Sequence, residues 1–144
     1  MRSIIFTVLF ILVTAVYGDE TISNLQGEKM QISINSNGQT TVFQLNGSDA
    51  AKELYAQLPL HVEVENYSNN EKIFYPPKKL QTSNTPLANA KTGTLAYYAP
   101  WGNVVMFYGD FGTANGLYEL GTAVSSNEHI KNMSGMIEIR KEIQ

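Results

Sequence analysis

Beginning at Lys29, apolar and polar residues alternate along the chain. Met30, Ile32 and Ile34 fall on one parity and Gln31, Ser33 and Asn35 on the other, the period-two signature of a half-buried strand. The next run, Thr40 to Leu45, places Phe43 and Leu45 on one side. Asn37-Gly38 lies between the two runs, and both residue types tolerate positive φ, so the spacing predicts a tight β-hairpin. The period then changes. Ala51, Leu54, Tyr55 and Leu58 sit at i, i+3, i+4 and i+7, one stripe of a helix, with Ser48 or Asp49 available as its cap and Pro59 limiting its end. Period two returns at Leu60: Leu60, Val62 and Val64 are predicted inward and His61, Glu63 and Glu65 outward. Asn70 to Tyr75 is predicted to pair back across a turn at Ser68–Asn70.

Pro76 to Gly93 breaks the pattern. It is poor in periodicity and rich in turn formers, and reads as a long surface excursion of the kind that borders a site. Beyond it, "TLAYYAP" and "NVVMFYG" form two strand-like runs joined by a turn at Trp101-Gly102. Val104 to Tyr108 is apolar on both parities, which predicts burial on both faces. "GLYELGTAV" predicts another short strand. "NEHIKNMSG" predicts a short helix, with Asn127 as cap, Ile130 and Met133 on one face and Gly135 as stop. "MIEIRKE" closes the chain as a strand with Ile137 and Ile139 inward. No internal repeat and no linker interrupts this order, so residues 28–144 are read as one domain. Seven or eight short strands with two short helices make a mainly β fold, a barrel or a sandwich.

The aromatic residues are unevenly placed. The stretch "YYAPWGNVVMFYGDFG", Tyr97 to Gly112, holds the single Trp together with Tyr97, Tyr98, Phe107, Tyr108 and Phe111. Successive strand residues face opposite ways, so Tyr97 must diverge from Tyr98 and Phe107 from Tyr108. One parity packs the core while the other can line an exposed cleft. Trp101, between Pro100 and Gly102, sits at a turn, either folded over the core or held at a pocket rim. The candidate cleft residues are Tyr98, Trp101, Phe107 and Phe111. Lys78, on the excursion, is a candidate contact for an anionic group.

Charge and composition remove several function classes. The chain carries 10 basic and 13 acidic residues, a net charge of −3, with no basic face to attract phosphate, so nucleic acid is not an expected partner. There is no Cys, which excludes a thiol nucleophile, a thiolate metal site and a disulfide framework; the fold must rest on its apolar core. Residues 1–18 are set apart. Arg2 is followed by the uncharged apolar run Ile4 to Val16, and Val16 and Gly18 supply the small residues of a cleavage site before Asp19. The run is shorter than the roughly 20 residues that span a bilayer. These features predict a secretory signal, a short tail over residues 19–27, and a secreted or periplasmic domain with no stable membrane span after cleavage. Asn46, Asn66 and Asn132 open N-x-S/T triplets, at the number expected by chance in a chain this rich in Asn and Ser.

Catalytic signals are sparse. His61, Glu63 and Glu65 share one side of a strand and have metal-ligand side chains, but this spacing is common on solvated strands, and no zinc signature or cofactor fingerprint is present. His129 reads as surface. Asp110, between Gly109 and Phe111, reads as a turn residue bonding its own backbone. No serine has a sequence-local reason to be activated.

"NEKIFYPPKKL" (Asn70 to Leu80), "GTLAYYAPWGNVVMFYGDFG" (Gly93 to Gly112) and "GLYELG" (Gly116 to Gly121) together resemble the bacterial cyclophilin-like domain family. The resemblance spans roughly residues 28 to 141, and the Pro-Trp-Gly-Asn turn followed by Phe-Tyr-x-Asp-Phe is its most specific part. It implies a closed cyclophilin-like β-barrel of about eight strands with two short helices. It does not carry over the isomerase activity of true cyclophilins. Their catalytic arginine belongs on a strand soon after the first helix, where this chain has "LHVEVENY", and after residue 18 the one arginine is Arg140 in the closing strand. The Phe-His-Arg and Gln-Gly-Gly signatures are missing as well. The expectation is therefore a non-catalytic domain that binds a small ligand or peptide through the aromatic cleft. The alternatives are a divergent prolyl isomerase, with Lys78 in place of the arginine, and an interaction module whose Trp101 meets a partner chain.

Overall fold

The structure, a computed structural model, describes residues 29–143. The expected signal and tail, residues 1–27, lie outside the described residues, as do residues 28 and 144. Eight strands follow in chain order: β1 (Gln31–Ser36), β2 (Gln39–Leu45), β3 (Leu60–Tyr67), β4 (Glu71–Phe74), β5 (Thr94–Tyr98), β6 (Asn103–Phe107), β7 (Leu117–Ser125) and β8 (Gly135–Glu142). Helix α1 (Asp49–Ala56) lies between β2 and β3, and a 3₁₀ helix (Asn127–Asn132) between β7 and β8. The strands close a barrel in the order β1-β2-β7-β5-β6-β4-β3-β8, with every neighbouring pair antiparallel. The mainly β, closed-barrel architecture expected from the sequence is the one observed.

Closure follows from the alternation. One parity of each strand enters a common interior: Ile32 and Ile34 from β1, Phe43 and Leu45 from β2, Leu60 and Val64 from β3, Phe74 from β4, Leu95 and Tyr97 from β5, and Val104 and Met106 from β6 belong to one cluster with Leu120, Ile137 and Ile139. Asn37 and Gly38 take φ of 52° and 79°, the left-handed pair that a two-residue hairpin requires. Ser48 caps α1, its Oγ accepting the Ala51 N–H at 3.3 Å, and Ala50, Ala51 and Leu54 join the barrel core. Ile130 and Met133 do the same from and just after the 3₁₀ segment.

That segment departs from the expected helix at both ends. Ser126, not Asn127, occupies the N-cap position, with φ 56° and no side-chain cap bond, and Gly135 opens β8 instead of stopping the helix. The nine residues between β7 and β8 hold a six-residue helical connector in the tighter 3₁₀ form, the form common in short connections.

The barrel wall is thicker on one side. A second cluster, Ile73, Ala88, Ala90, Ala96, Val105, Phe107 and Leu117, lies on the outer face of β4, β6, β5 and β7. Its cover is the segment that the sequence reading placed on the surface. Residues 76–93 lay the small side chains of Ala88 and Ala90 against the sheet and pair with β7 at Leu87–Tyr118 and with the loop after β6 at Ala90–Gly112. Asp49 holds the same segment from the other end. Its carboxylate accepts from Asn84 Nδ2 at 2.9 Å and Ser83 Oγ at 3.0 Å, which also keeps its pKa below the usual carboxylate value.

One position closes the wall and another ties it to its cover. Gly121 pairs with Leu45, and a Cβ there would stand 2.1 Å from the Gln44 carbonyl oxygen, so β2 and β7 meet only because no side chain intervenes. Tyr97 reaches through the interior to accept the buried Leu80 N–H at 3.1 Å. Gly121→Ala is expected to destabilise the domain by about 1–3 kcal/mol through overpacking. Tyr97→Phe, which leaves the Leu80 donor unpaired, is expected to cost about 1–3 kcal/mol. Urea unfolding checks both: the midpoint should fall in each variant with the slope unchanged.

Candidate functional site

The register of the thick side places one parity of three strands on a single outer surface. Glu71 pairs with Phe107 and Ile73 with Val105 across β4 and β6, while Ala96 pairs with Val105 and Tyr98 with Asn103 across β5 and β6. The opposite parity, Phe74, Tyr97, Val104 and Met106, fills the barrel. The divergence expected of Tyr97 and Tyr98, and of Phe107 and Tyr108, is thus realised with Tyr98 and Phe107 outward.

The cover is incomplete over this surface. A cleft of about 190 Å³ remains, with a floor of Glu71, Ile73, Asn103, Val105, Phe107 and Leu117 and walls of Tyr67, Tyr98, Trp101, Phe111 and Ala114. The floor is buried, while Trp101 is 49% and Phe111 47% exposed, so the walls form a rim. Trp101 is held there by the turn: its N–H and that of Gly102 both donate to the Tyr98 carbonyl, at 3.2 and 2.9 Å, with Gly102 at φ 72°. The indole stands edge-to-face between Tyr98 (5.4 Å, 81°) and Tyr67 (5.1 Å, 85°). Phe107 and Phe111 meet at 5.4 Å and 34° at the other side of the cleft.

Four of the five residues singled out in the sequence, Tyr98, Trp101, Phe107 and Phe111, are brought together by this geometry. Lys78 is placed elsewhere. Its backbone N–H donates to Gln57 Oε1 at 3.0 Å and its carbonyl accepts from Gln57 Nε2 at 3.1 Å, which ties it to the end of α1 with its side chain exposed and outside the cleft. Arg140 also lies away, on β8 between β1 and β3, where its guanidinium bonds Glu138. Asp110 accepts from the Thr92 N–H at 3.0 Å and the Thr92 hydroxyl at 3.4 Å, not from its own backbone; it fastens the cover to the loop after β6. Among the described residues, no three His, Asp or Glu side chains gather into a group that can hold a metal, and His61, Glu63 and Glu65 are no exception.

Seven of the eleven lining residues were not expected; four are the apolar Ile73, Val105, Ala114 and Leu117, and three carry polar groups. Tyr67 ends β3; Glu71 and Asn103 open β4 and β6. Both polar residues are buried, at 8% and 1% exposure. Burial raises the Glu71 carboxyl above its ordinary value, because the charged form loses water without gaining a partner. Asn103 Oδ1 is sealed from solvent and accepts no hydrogen bond. Lys72, one residue from Glu71, points the other way; burial lowers its pKa, and its ammonium donates to Asn66 Oδ1.

No curated protein matches the chain. Among solved structures, a hypothetical protein of Archaeoglobus fulgidus, AF2241, determined in solution, superposes with a TM-score of 0.62. It is 15% identical, and the match covers 82% of this chain and 98% of that one, a likeness of fold alone. The model of the cyclophilin-like family matches residues 34–142, nearly the whole described barrel. The chain therefore belongs to the cyclophilin-like family.

Proposed function

We propose that this cyclophilin-like domain binds a small ligand or a peptide side chain in the aromatic cleft and does not catalyse prolyl isomerisation. The observation that carries the reading is the meeting of Tyr98, Trp101, Phe107 and Phe111, all from the β5–β6 hairpin and the loop that follows it, with Tyr67 of β3 around one open cavity with a buried floor. A stable fold has no need to hold half-exposed Trp and Phe rings around a gap. Aromatic rims of this kind supply large contact area at low entropic cost. The cavity, at about 190 Å³, is smaller than the roughly 300–1,000 Å³ of sites for drug-sized ligands, which suits a single side chain or head group.

The isomerase alternative needs a fixed positive donor beside the substrate amide. No Lys, Arg or His lines the cleft, and the outward position of Lys78 favours binding without that chemistry. In the same reading the domain works outside the cytosol, as a secreted or periplasmic protein, because residues 4–16 have the composition of an export signal.

The single Trp makes the test direct. Titration of the neutral apolar probe N-phenyl-1-naphthylamine is expected to quench Trp101 emission saturably. Phe111→Ala is expected to weaken that binding roughly tenfold, equivalent to about 1.4 kcal/mol. An emission that does not respond removes the cleft as a binding site. A prolyl-tetrapeptide assay settles the chemistry: acceleration that disappears in Lys78→Ala replaces this reading with the isomerase one.

A further inference from the structure

The cleft has an electrostatic sign. Its carboxylate, Glu71, is 8% exposed, accepts no hydrogen bond and faces no cation among the described residues. The other titratable groups on its walls are the phenols of Tyr67, from β3, and Tyr98, from β5; no Asp, Lys, Arg or His joins them. Charged groups on the adjoining elements are committed elsewhere, Lys72 to Asn66 on the opposite face and Asp110 to Thr92 at the exposed edge of the cover. Partial burial without a protein partner disfavours the ionised carboxylate, a cost softened by the solvent that its oxygens still reach through the cleft. A desolvated cation removes that cost, and ring faces attract it as well. Tyr67 and Tyr98, each nearly perpendicular to Trp101, present such faces in more than one direction.

The second polar mark gives the ligand a length. Glu71 lies opposite Phe107, and Asn103 stands four residues earlier on β6. At the rise of a strand this separates them by roughly 13 Å of backbone, with the apolar Ile73 and Val105 between. Asn103 lines this end of the cleft with an acceptor that has no partner, covered in the free protein, so a donor bound here satisfies it once the amide turns toward the cleft.

We propose that the cleft takes an elongated organic amine: its ammonium head against Glu71 beside the Tyr67–Trp101 pair, its methylene chain over Ile73 and Val105, and a second N–H group at Asn103. This rests on the cleft being the binding site. A lysine side chain with its peptide amide and a free linear diamine share this chemistry. Only the ionised form of Glu71 attracts the head. Binding therefore weakens as pH falls through the raised pKa of that carboxyl.

The test compares N-acetyl-lysine N-methylamide with its uncharged analogue N-acetyl-norleucine N-methylamide, read by Trp101 emission and by amide chemical shifts. The lysine compound is expected to bind at least tenfold more tightly at neutral pH, and Glu71→Gln to abolish that preference. 1,5-Diaminopentane distinguishes the sources: tighter binding than the lysine compound assigns a free amine, weaker binding a peptide side chain. Asn103→Leu is expected to weaken the lysine compound and the diamine while leaving butylammonium unchanged, and equal losses for all three would overturn the second contact. If norleucine and lysine compounds bind alike in both proteins, the cation inference is wrong and the cleft stands. If neither binds, the amine inference falls, while the cleft reading is decided separately by the N-phenyl-1-naphthylamine titration. Folding of the variant is checked independently. A carboxyl whose pKa is raised in the folded state makes stability fall as pH rises through that window, so Glu71→Gln should flatten the dependence and raise the melting temperature at neutral pH.

Discussion

The double burial of β6 is the constraint on which the rest of the molecule depends. All five of its residues, Asn103 to Phe107, are buried, Val104 and Met106 in the barrel and Asn103, Val105 and Phe107 on its outside. A barrel of eight strands encloses one core and has no need of a second. Because β6 is apolar on both parities, the outer surface of β4, β6 and β5 must also be taken out of water. The long segment between β4 and β5 does this, held by Asp49, by Asp110 and by two isolated bridges. The candidate site is what this cover leaves open, and its aromatic walls come from the ends of β3 and β5, the β5–β6 turn and the loop after β6.

The legible part of the fold was the part written in period two. Ile32, Ile34, Phe43, Leu45, Ile137 and Ile139 each alternate with a polar neighbour, and each is in the core. The i, i+3, i+4 stripe of α1 was equally plain, as was the hairpin at Asn37-Gly38. What alternation cannot encode is a surface buried by a loop. Ala88 and Ala90 look like filler in a turn-rich stretch; they are buried because small side chains let the loop approach the sheet. The 3₁₀ segment was misjudged in its caps for a related reason: its geometry is set by the strands on either side and not by its own residues.

The candidate site was legible in half. Parity separated Tyr98 and Phe107 from Tyr97 and Tyr108, and the turn singled out Trp101. The polar half was missed because charge and amide on a strand read as solvent-facing. Glu71 sits in "NEKIFY", where a polar start is what any exposed strand would show, and Asn103 follows a turn, where Asn is expected to bond locally. A signal was nonetheless present. Once β6 is read as buried on both faces, its partners across the sheet inherit that burial, and the polar residue at the end of β4 on the same parity as Ile73 becomes an exception to be explained.

Lys72 and Glu71 show how position decides what a buried charge does. They are adjacent, opposite in sign and almost equally buried, at 6% and 8% exposure. Strand geometry sends them to opposite faces, so they cannot neutralise each other. Burial disfavours the charged form of each. Lys72 recovers part of that cost from the Asn66 side chain across the β3–β4 pair, which makes it a structural charge. Glu71 recovers nothing from the protein. The family's barrel is a scaffold that does not dictate chemistry, and no Lys, Arg or His is among the residues that line this cleft. That wall presents an acid with no protein partner, and the direction of its pKa follows from burial alone, where the Lys72 ammonium keeps a hydrogen bond against the same effect.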